Sequence, residues 1–191
     1  MTTFREDLAR ATAYHGHLCS GQILGVRMAR MALRFLQIDE PLTCRDLILF
    51  VETDRCIADA AGTVTGCKIG RRRLKWMDYG KTAIALLDIG TGKAVRIHRK
   101  ERIFAPDGAE GEAMIAFYET IPDETLFTAT EVAIPLRAVD LPGKPLDVAV
   151  CEICKEEVLD GRQIVVDGHV FCKGCHDGHY YQMGENNVGT V

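Results

Sequence analysis

The sequence predicts an α+β fold, with a mixed β-sheet flanked by helices, followed by a small module built around four cysteines. Helical and strand patterns mix over residues 1–142 without the steady βαβ rhythm of a parallel sheet. Prolines and a glycine at residues 142–145 then mark a linker. Residues 146–191 are too few to bury a core unaided, so their two closely spaced cysteine pairs are expected to staple them. We therefore expect two domains, 1–142 and 146–191.

The helices of the first domain are predicted from apolar residues that recur at helical spacing. In the first helix, Phe4, Leu8 and Ala11 fall on one face. The second has a broad apolar face, and its recurring arginines are expected to form an exposed face. Asp54 is expected to cap the third helix, and Pro122 to end the fourth. The predicted helices cover residues 3–14, about 22–37, 55 to between 62 and 66, and 110–120, and the arginines are Arg27, Arg30 and Arg34.

The strands are predicted from apolar runs and from alternation of apolar and polar residues. Residues 47–51 are continuously apolar, which is typical of a strand buried on both faces. Residues 82–89 form a second strand, and residues 94–99 alternate in polarity after a glycine-containing turn, which favours antiparallel pairing. Residues 126–135 supply a further strand or a short helix. The intervening residues 68–75 are basic and polar.

Composition and charge favour a cytoplasmic protein with no membrane or nucleic-acid partner. No apolar run approaches the roughly 18 residues that span a bilayer, and the first residues carry acids rather than the apolar core of a signal peptide. In a reducing compartment, clustered cysteines are more often metal ligands or catalytic thiols than disulfides. Residues 151–191 carry three basic and seven acidic side chains, whereas a module that grips a phosphate backbone is basic.

The four C-terminal cysteines have the spacing of a structural zinc site. Two C-x2-C pairs lie 17 residues apart, and each pair can present two sulfurs to one metal ion. Asp167 and Gly168 stand between two apolar stretches and predict a hairpin turn. A knuckle, a hairpin and a helix that carries the second pair together resemble a treble-clef zinc finger. The expected ligands are Cys151, Cys154, Cys172 and Cys175.

Two alternatives to zinc stay open at this site. The cysteines could be unmetallated or paired as disulfides, or they could hold iron as in rubredoxin-like sites. Rubredoxin-type loops usually carry glycine after each pair, but Lys155 and His176 stand there, which favours zinc. Because four thiolates fill a closed site, we expect His176 and His179 to be polar residues of the final helix.

A second cluster lies in the first third of the chain. His15, His17 and Cys19 occupy alternating positions, so they share one side of an extended loop. Cys19 directly precedes a helix, whose dipole favours a thiolate. Cys56 and Asp59 share a helix face, and spacing alone does not show that the two segments meet. The alternative is that the histidines satisfy loops and the cysteines fill the core, as we expect for Cys44 and as is most common for a lone cysteine such as Cys56.

Three ordered motifs resemble those of the FmdE family, which is named for a component of formylmethanofuran dehydrogenase. They are HGHLCSG at 15–21 with the following Gly25, Arg27 and Met28, RCIADA at 55–60 with TGCKIG at 65–70, and DYGK at 78–81. The resemblance implies a thioredoxin-like α+β core whose active site holds zinc in some members. By position it implies His17, Cys19 and Cys56 as metal ligands, with His15, Asp59 and Cys67 as further members of the catalytic site.

The chain departs from the family pattern at Ser20, where proline is frequent, and in the basic residues 68–73. Neither departure removes an implied ligand, but the second puts a shared substrate in doubt. Arg71, Arg72 and Arg73 with Lys75 could bind an anionic cofactor, or could form a solvated loop.

The expected function is therefore that of a zinc-binding protein with a structural finger and a second metal or active site in the core. Two alternatives accompany it. The chain could be an accessory or regulatory subunit of a molybdenum or tungsten oxidoreductase, with the acidic finger as the protein contact. It could instead be a thiol-redox protein. A homo-oligomer, such as a dimer, is expected, and whether the chain is an enzyme stays open.

Overall fold

The computed structural model describes residues 2–182, and the chain divides into two compact units, Met1–Pro135 and Leu136–Val191. The boundaries expected at residues 142 and 146 stay predictions. In unit 1 the helices are α1 Phe4–His15, α2 Ser20–Phe35, α3 Cys56–Thr65, α4 Gly111–Glu119 and α5 Asp123–Leu126. The strands of unit 1 are β1 Leu47–Val51, β2 Leu74–Trp76, β3 Ala83–Asp88, β4 Ala94–Arg99 and β5 Phe127–Val132. Among residues 2–182, no helix is long and apolar enough to cross a membrane.

Unit 1 contains a mixed five-stranded sheet in the order β2-β1-β3-β4-β5, as the α+β prediction requires. Strands β1, β3, β4 and β5 pair antiparallel, and β2 joins β1 in parallel, with Leu49 opposite Leu74. The sequence did not predict β2. Its three residues carry a lysine and a tryptophan instead of an apolar run, and they are ordered by pairing with the edge of β1.

Helices α2 and α3 pack together more extensively than any other pair of helices, and both lie on one face of the sheet. A single buried cluster includes Ile23 and Met28 of α2, Ile57 and Val64 of α3, and Leu49 of β1. Helix α3 was expected to begin at Arg55 with Asp54 as its cap, but it begins at Cys56. Arg55 is the N-cap, and no side chain caps this end of the helix, so the prediction of an Asp54 cap was wrong.

The arginines of α2 form buried ion pairs, so the prediction of an exposed arginine face was wrong for two of the three. The side chains of Arg27 and Arg30 are only 11% and 16% exposed. Arg27 donates to Asp123, and Arg30 to Asp7, whose side chain is almost fully buried. Arg34 is half exposed and also donates to Asp123. Both carboxylates lie far from α2 in sequence, which is why helical spacing alone could not reveal them.

Unit 2 is built from two short hairpins and a one-turn helix. Its strands and helix are β6 Val148–Val150, β7 Glu157–Leu159, β8 Ile164–Val166, β9 His169–Phe171 and α6 Lys173–Asp177, and a 3₁₀ turn, Ala138–Asp140, precedes them. The hairpin predicted at Asp167 and Gly168 is present between β8 and β9, and both turn residues have positive φ, 51° and 85°. Residues 183–191 of the expected finger lie outside the described residues.

We predict that Gly25→Ala destabilises unit 1. A Cβ at this position would lie 2.7 Å from Cβ of Ala60 and 2.9 Å from the Cα of Ile57, so α2 and α3 would have to move apart. Overpacking of this kind costs about 1–3 kcal/mol, which outweighs the gain in helix propensity of up to about 1 kcal/mol. Urea denaturation measures the change. Gly70→Ala is the control, because a Cβ there meets nothing within 4 Å, and equal stability of the two variants would contradict the prediction.

Candidate metal centres

The four C-terminal cysteines converge in unit 2. Cys151 follows β6 and Cys154 lies in the turn after it, whereas Cys172 caps α6 and Cys175 lies within that helix. Their four sulfurs all lie within 4.8 Å of one another, and the Sγ atoms of Cys154 and Cys172 are 3.9 Å apart. Two tight turns thus present two sulfurs each to a common centre, as a tetrahedral site needs.

In this cluster, backbone hydrogen bonds lower the pKa of one thiol, whereas crowding by neighbouring thiols raises the pKa of another. Backbone N–H groups of Cys172 and Cys154 lower the pKa of the Cys151 thiol to about 6. The neighbouring thiol of Cys172, burial and the other two cysteines raise the pKa of Cys175 to about 12. Four sulfurs this close cannot all be thiolates without a cation, and a divalent ion that prefers sulfur removes the conflict. The donor set therefore fits zinc.

Glu152, directly after Cys151, links the first cysteine turn to strand β9. Its carboxylate accepts a hydrogen bond from the backbone N–H of Val170 at 2.9 Å and contacts Nδ1 of His169 at 2.8 Å. His176 lies in α6 and contacts the carboxylate of Asp177, and His179 lies beyond the helix. Neither histidine belongs to the four-cysteine group among residues 2–182.

In unit 1, donor atoms of His15, His17 and Cys19 lie within 4.8 Å of one another. His15 is the last residue of α1 and Cys19 is the N-cap of α2. Gly16 links them in the left-handed conformation, with φ of 95°, which only glycine adopts at little cost. The chain therefore reverses sharply, and the rings of His15 and His17 lie in contact, tilted by 38° with centroids 4.7 Å apart.

Cys56 reaches the same place from α3. A Cβ on Gly21 would lie 2.8 Å from Cβ of Cys56, and it would lie 3.5 Å and 3.6 Å from the sulfurs of Cys56 and Cys19. Because Gly21 has no side chain, the thiols of Cys56 and Cys19 can lie next to each other beside it. Burial, followed by the hydrogen bond and charge of Cys19, raises the pKa of the Cys56 thiol.

Asp59, one turn along α3, fixes the orientation of His15. Its Oδ2 lies 2.8 Å from Nδ1 of His15. The other ring nitrogen, Nε2, is buried and has no hydrogen-bond partner among residues 2–182. A histidine held by a carboxylate on one nitrogen and free on the other is the usual arrangement of a metal ligand. The residues present at this site therefore fit a metal ion.

The structure places two other residues of interest relative to this site. Cys67 lies beyond the far end of α3, where its buried Sγ donates to the carbonyl of Leu47 at 3.5 Å, and burial raises the pKa of its thiol. Gln22 escaped notice in the sequence. Its fully buried side chain donates from Nε2 to the carbonyl of Cys56 at 2.8 Å. A glutamine directly before the apolar face of α2 was the only available signal.

The comparisons with known proteins agree with this architecture. Residues 14–128, more than half of the chain, match the family model described as FmdE, molybdenum formylmethanofuran dehydrogenase operon. The chain belongs to the FmdE family. Residues 145–181 match the model of the prokaryotic dksA/traR C4-type zinc finger. The resemblance drawn from the three motifs is thus confirmed, and so is a zinc finger at the C-terminus.

Two individual proteins are similar to this FmdE chain. One is a tungsten formylmethanofuran dehydrogenase FmdE-like protein from Syntrophus aciditrophicus, whose crystal structure aligns with a TM-score of 0.62 and 24% identity over 95% of this chain and 96% of its own. This similarity shows a shared fold. The other, a probable S-adenosyl-L-methionine-binding protein from Archaeoglobus fulgidus, is 34% identical over 94 residues, which are 48% of this chain. The match spans only 26% of that relative's own length.

Some of the expectations for this FmdE protein are confirmed, and others stay predictions. The mixed α+β fold is confirmed, and the family match and the four-cysteine cluster support zinc binding. A thioredoxin-like core, a dimer, the cytoplasmic location and the roles of the individual site residues remain to be tested.

We predict that the double substitution Cys172→Ser and Cys175→Ser removes one zinc ion per chain. Both sulfurs on the α6 side of the cluster are then lost, and the remaining pair cannot form a closed site. Elemental analysis measures the zinc, and amide exchange in β8 and β9 should rise because metal binding is coupled to folding of such a module. Cys44→Ser is the control, and unchanged zinc in the double variant would contradict the prediction.

Proposed function

We propose that this chain is a zinc-binding protein with two metal sites, a structural one in the finger and a reactive one in the core. The convergence of His15, His17 and Cys19 carries the proposal for the core. We assign these three residues as ligands. Cys56, which the family resemblance also implies, is proposed to lie beside the open position that three ligands leave.

The residues around this site have separate tasks. Asp59 holds the proton on Nδ1 of His15, so that Nε2 is free to coordinate. Gln22 anchors the first turn of α3 through the carbonyl of Cys56, which keeps that thiol against Cys19. A zinc ion bound here would supply a Lewis acid that polarises a carbonyl or acidifies a bound water. Nε2 of His15 is buried, whereas His17 is exposed, so the site is open to solvent on the side of His17.

The accessory role expected for the finger is a second candidate function. The description of the matched family refers to a molybdenum formylmethanofuran dehydrogenase operon, which supports an oxidoreductase partner. We propose that such a partner presents a basic patch to the acidic finger. Co-purification of the intact chain with a molybdenum or tungsten oxidoreductase, lost at high salt, would support this role. Recovery of the chain without such a partner would exclude it.

A thiol-redox function is favoured by the contact between Cys19 and Cys56. Two adjacent thiols can form a disulfide. Their two hydrogens pass to a peroxide, which is thereby reduced to water.

We predict that Cys19→Ala lowers the zinc content from about two ions to about one per chain, because loss of the thiolate leaves two imidazoles at the core. Cys44→Ala is the matched control, since Cys44 is also a half-buried cysteine of unit 1 but lies outside the cluster. Elemental analysis measures the zinc content per chain of both variants. If Cys19→Ala retains the zinc content of the control, the core site is not a zinc site.

We predict that Asp59→Asn weakens zinc binding at the core about 10- to 100-fold, because it removes the carboxylate that orients His15. Competition with a chelator measures the affinity. Asp54→Asn is the control, as Asp54 is exposed and precedes the same helix. Equal affinity of the two variants would show that the contact between Asp59 and His15 does not serve a metal.

We predict that peroxide treatment of the metal-free chain joins Cys19 to Cys56, and that the peptides carrying these two residues together lose two hydrogen atoms, separately from the oxidation of the four finger cysteines. Peptide mapping locates the bond. The disulfide should be absent from Cys56→Ser, and Cys67 should stay reduced because its sulfur is buried at the other end of α3. Sulfinic acid at Cys19 with no crosslink would contradict a thiol-pair function.

A further inference from the structure

A cleft of about 540 Å³ lies beside the proposed core metal site, and its lining includes Asp59 but none of His15, His17 and Cys19. It is bounded by α1 at Tyr14, by α3 at Asp59 and Thr63, and by the 3₁₀ turn Ile69–Arg71. Its volume falls within the range of about 300–1,000 Å³ that is typical of small-molecule sites. Cys67 lines the cleft and lies outside the metal cluster.

The walls of this cleft are mainly apolar, although they face solvent. Tyr14, Leu42 and Ile69 are 70%, 49% and 69% exposed, and all three line the cleft together with Leu74. Exposed apolar side chains are common singly, but several that converge on one concave surface mark a binding site. The occupant should therefore have an apolar body.

The charges at the cleft favour an anion. Lys68 lines the cleft, is exposed, and makes no ion pair within residues 2–182. Asp59, the carboxylate of the lining, already accepts a hydrogen bond from His15. Residues 68–75, which continue the chain from Lys68, carry five basic side chains and no acidic one.

We propose that the cleft binds a small organic anion with an apolar body, such as a medium-chain carboxylate. The apolar body contacts Leu42, Ile69 and Leu74, and the carboxylate pairs with the ammonium group of Lys68. This site goes beyond the proposed metal function, because its contacts do not involve the metal ligands. Asp59 borders both sites, so the bound molecule lies next to the carboxylate that orients His15.

Calorimetric titration of the intact, zinc-loaded chain with octanoate tests the proposal. Octanoate should bind at least about tenfold more tightly than octanamide or octylammonium, which share its chain but lack its charge. Lys68→Glu should lose at least about tenfold in affinity for octanoate, because attraction becomes repulsion. Lys93→Glu is the control with the same charge change, on the exposed turn between β3 and β4.

Two variants probe the apolar walls. Thr63→Trp fills the cleft, and Ile69→Asp introduces a charge at a side chain that is 69% exposed, so that the second variant should fold even if the first does not. Both should abolish octanoate binding. Zinc analysis of each variant separates the two sites, because the metal content should stay that of the unmodified chain.

Three results would overturn the proposal. The first is that octanoate fails to bind, or binds no better than octanamide or octylammonium. The second is that Lys68→Glu and Lys93→Glu bind octanoate equally well. The third is that the chain is a dimer which Ile69→Asp separates into monomers, because a second copy of the chain would then be the occupant of the cleft.

Discussion

The close contact of α2 with α3 is the constraint on which the core site depends. Gly25 lets α2 approach the backbone of Ile57 and the side chain of Ala60. One turn earlier on both helices, Gly21 lies against Cys56. The two glycines are four residues apart and share a helix face, and so do Cys56 and Ala60. The helices therefore run in the same direction, and their N-terminal ends meet where Cys19 and Cys56 lie.

At these helix ends, two physical effects act in opposite directions on the charge of the thiols. The N-terminal ends of helices favour negative charge, and thus thiolates. Burial and the neighbouring sulfur favour the neutral thiol at Cys56 and raise its pKa. A divalent cation between the sulfurs and the imidazoles would satisfy both demands, because its attraction for the thiolates offsets the cost of desolvating the charged form. The alternative resolution is a disulfide, so the metal and thiol-redox functions arise from the same contact.

The sequence was sufficient for what is encoded locally. The four-cysteine spacing predicted the finger, and Asp167 with Gly168 predicted its hairpin. The motif of residues 15–21 predicted that His15, His17 and Cys19 share one side of an extended loop. Their donor atoms do converge, but His15 ends α1 and the left-handed Gly16, not an extended loop, brings them together.

What the sequence could not supply depends on contacts between distant segments. Spacing could not show that Cys56 meets Cys19, since this follows from the packing of α2 on α3. Helical periodicity assigned Arg30 to solvent because its buried partner, Asp7, lies on another helix. Strand β2 was missed because pairing with β1, rather than its own apolar content, orders it.

Anomalous diffraction at the zinc edge, from crystals of the intact chain, tests the central claim most directly. We expect two peaks, one among Cys151, Cys154, Cys172 and Cys175 and one within coordination distance of Cys19 and the imidazoles of His15 and His17, with zinc–sulfur distances near the usual ~2.3 Å. A single peak, at the finger, with Cys19 and Cys56 present as free thiols, would contradict the claim that the contact between α2 and α3 builds a metal site.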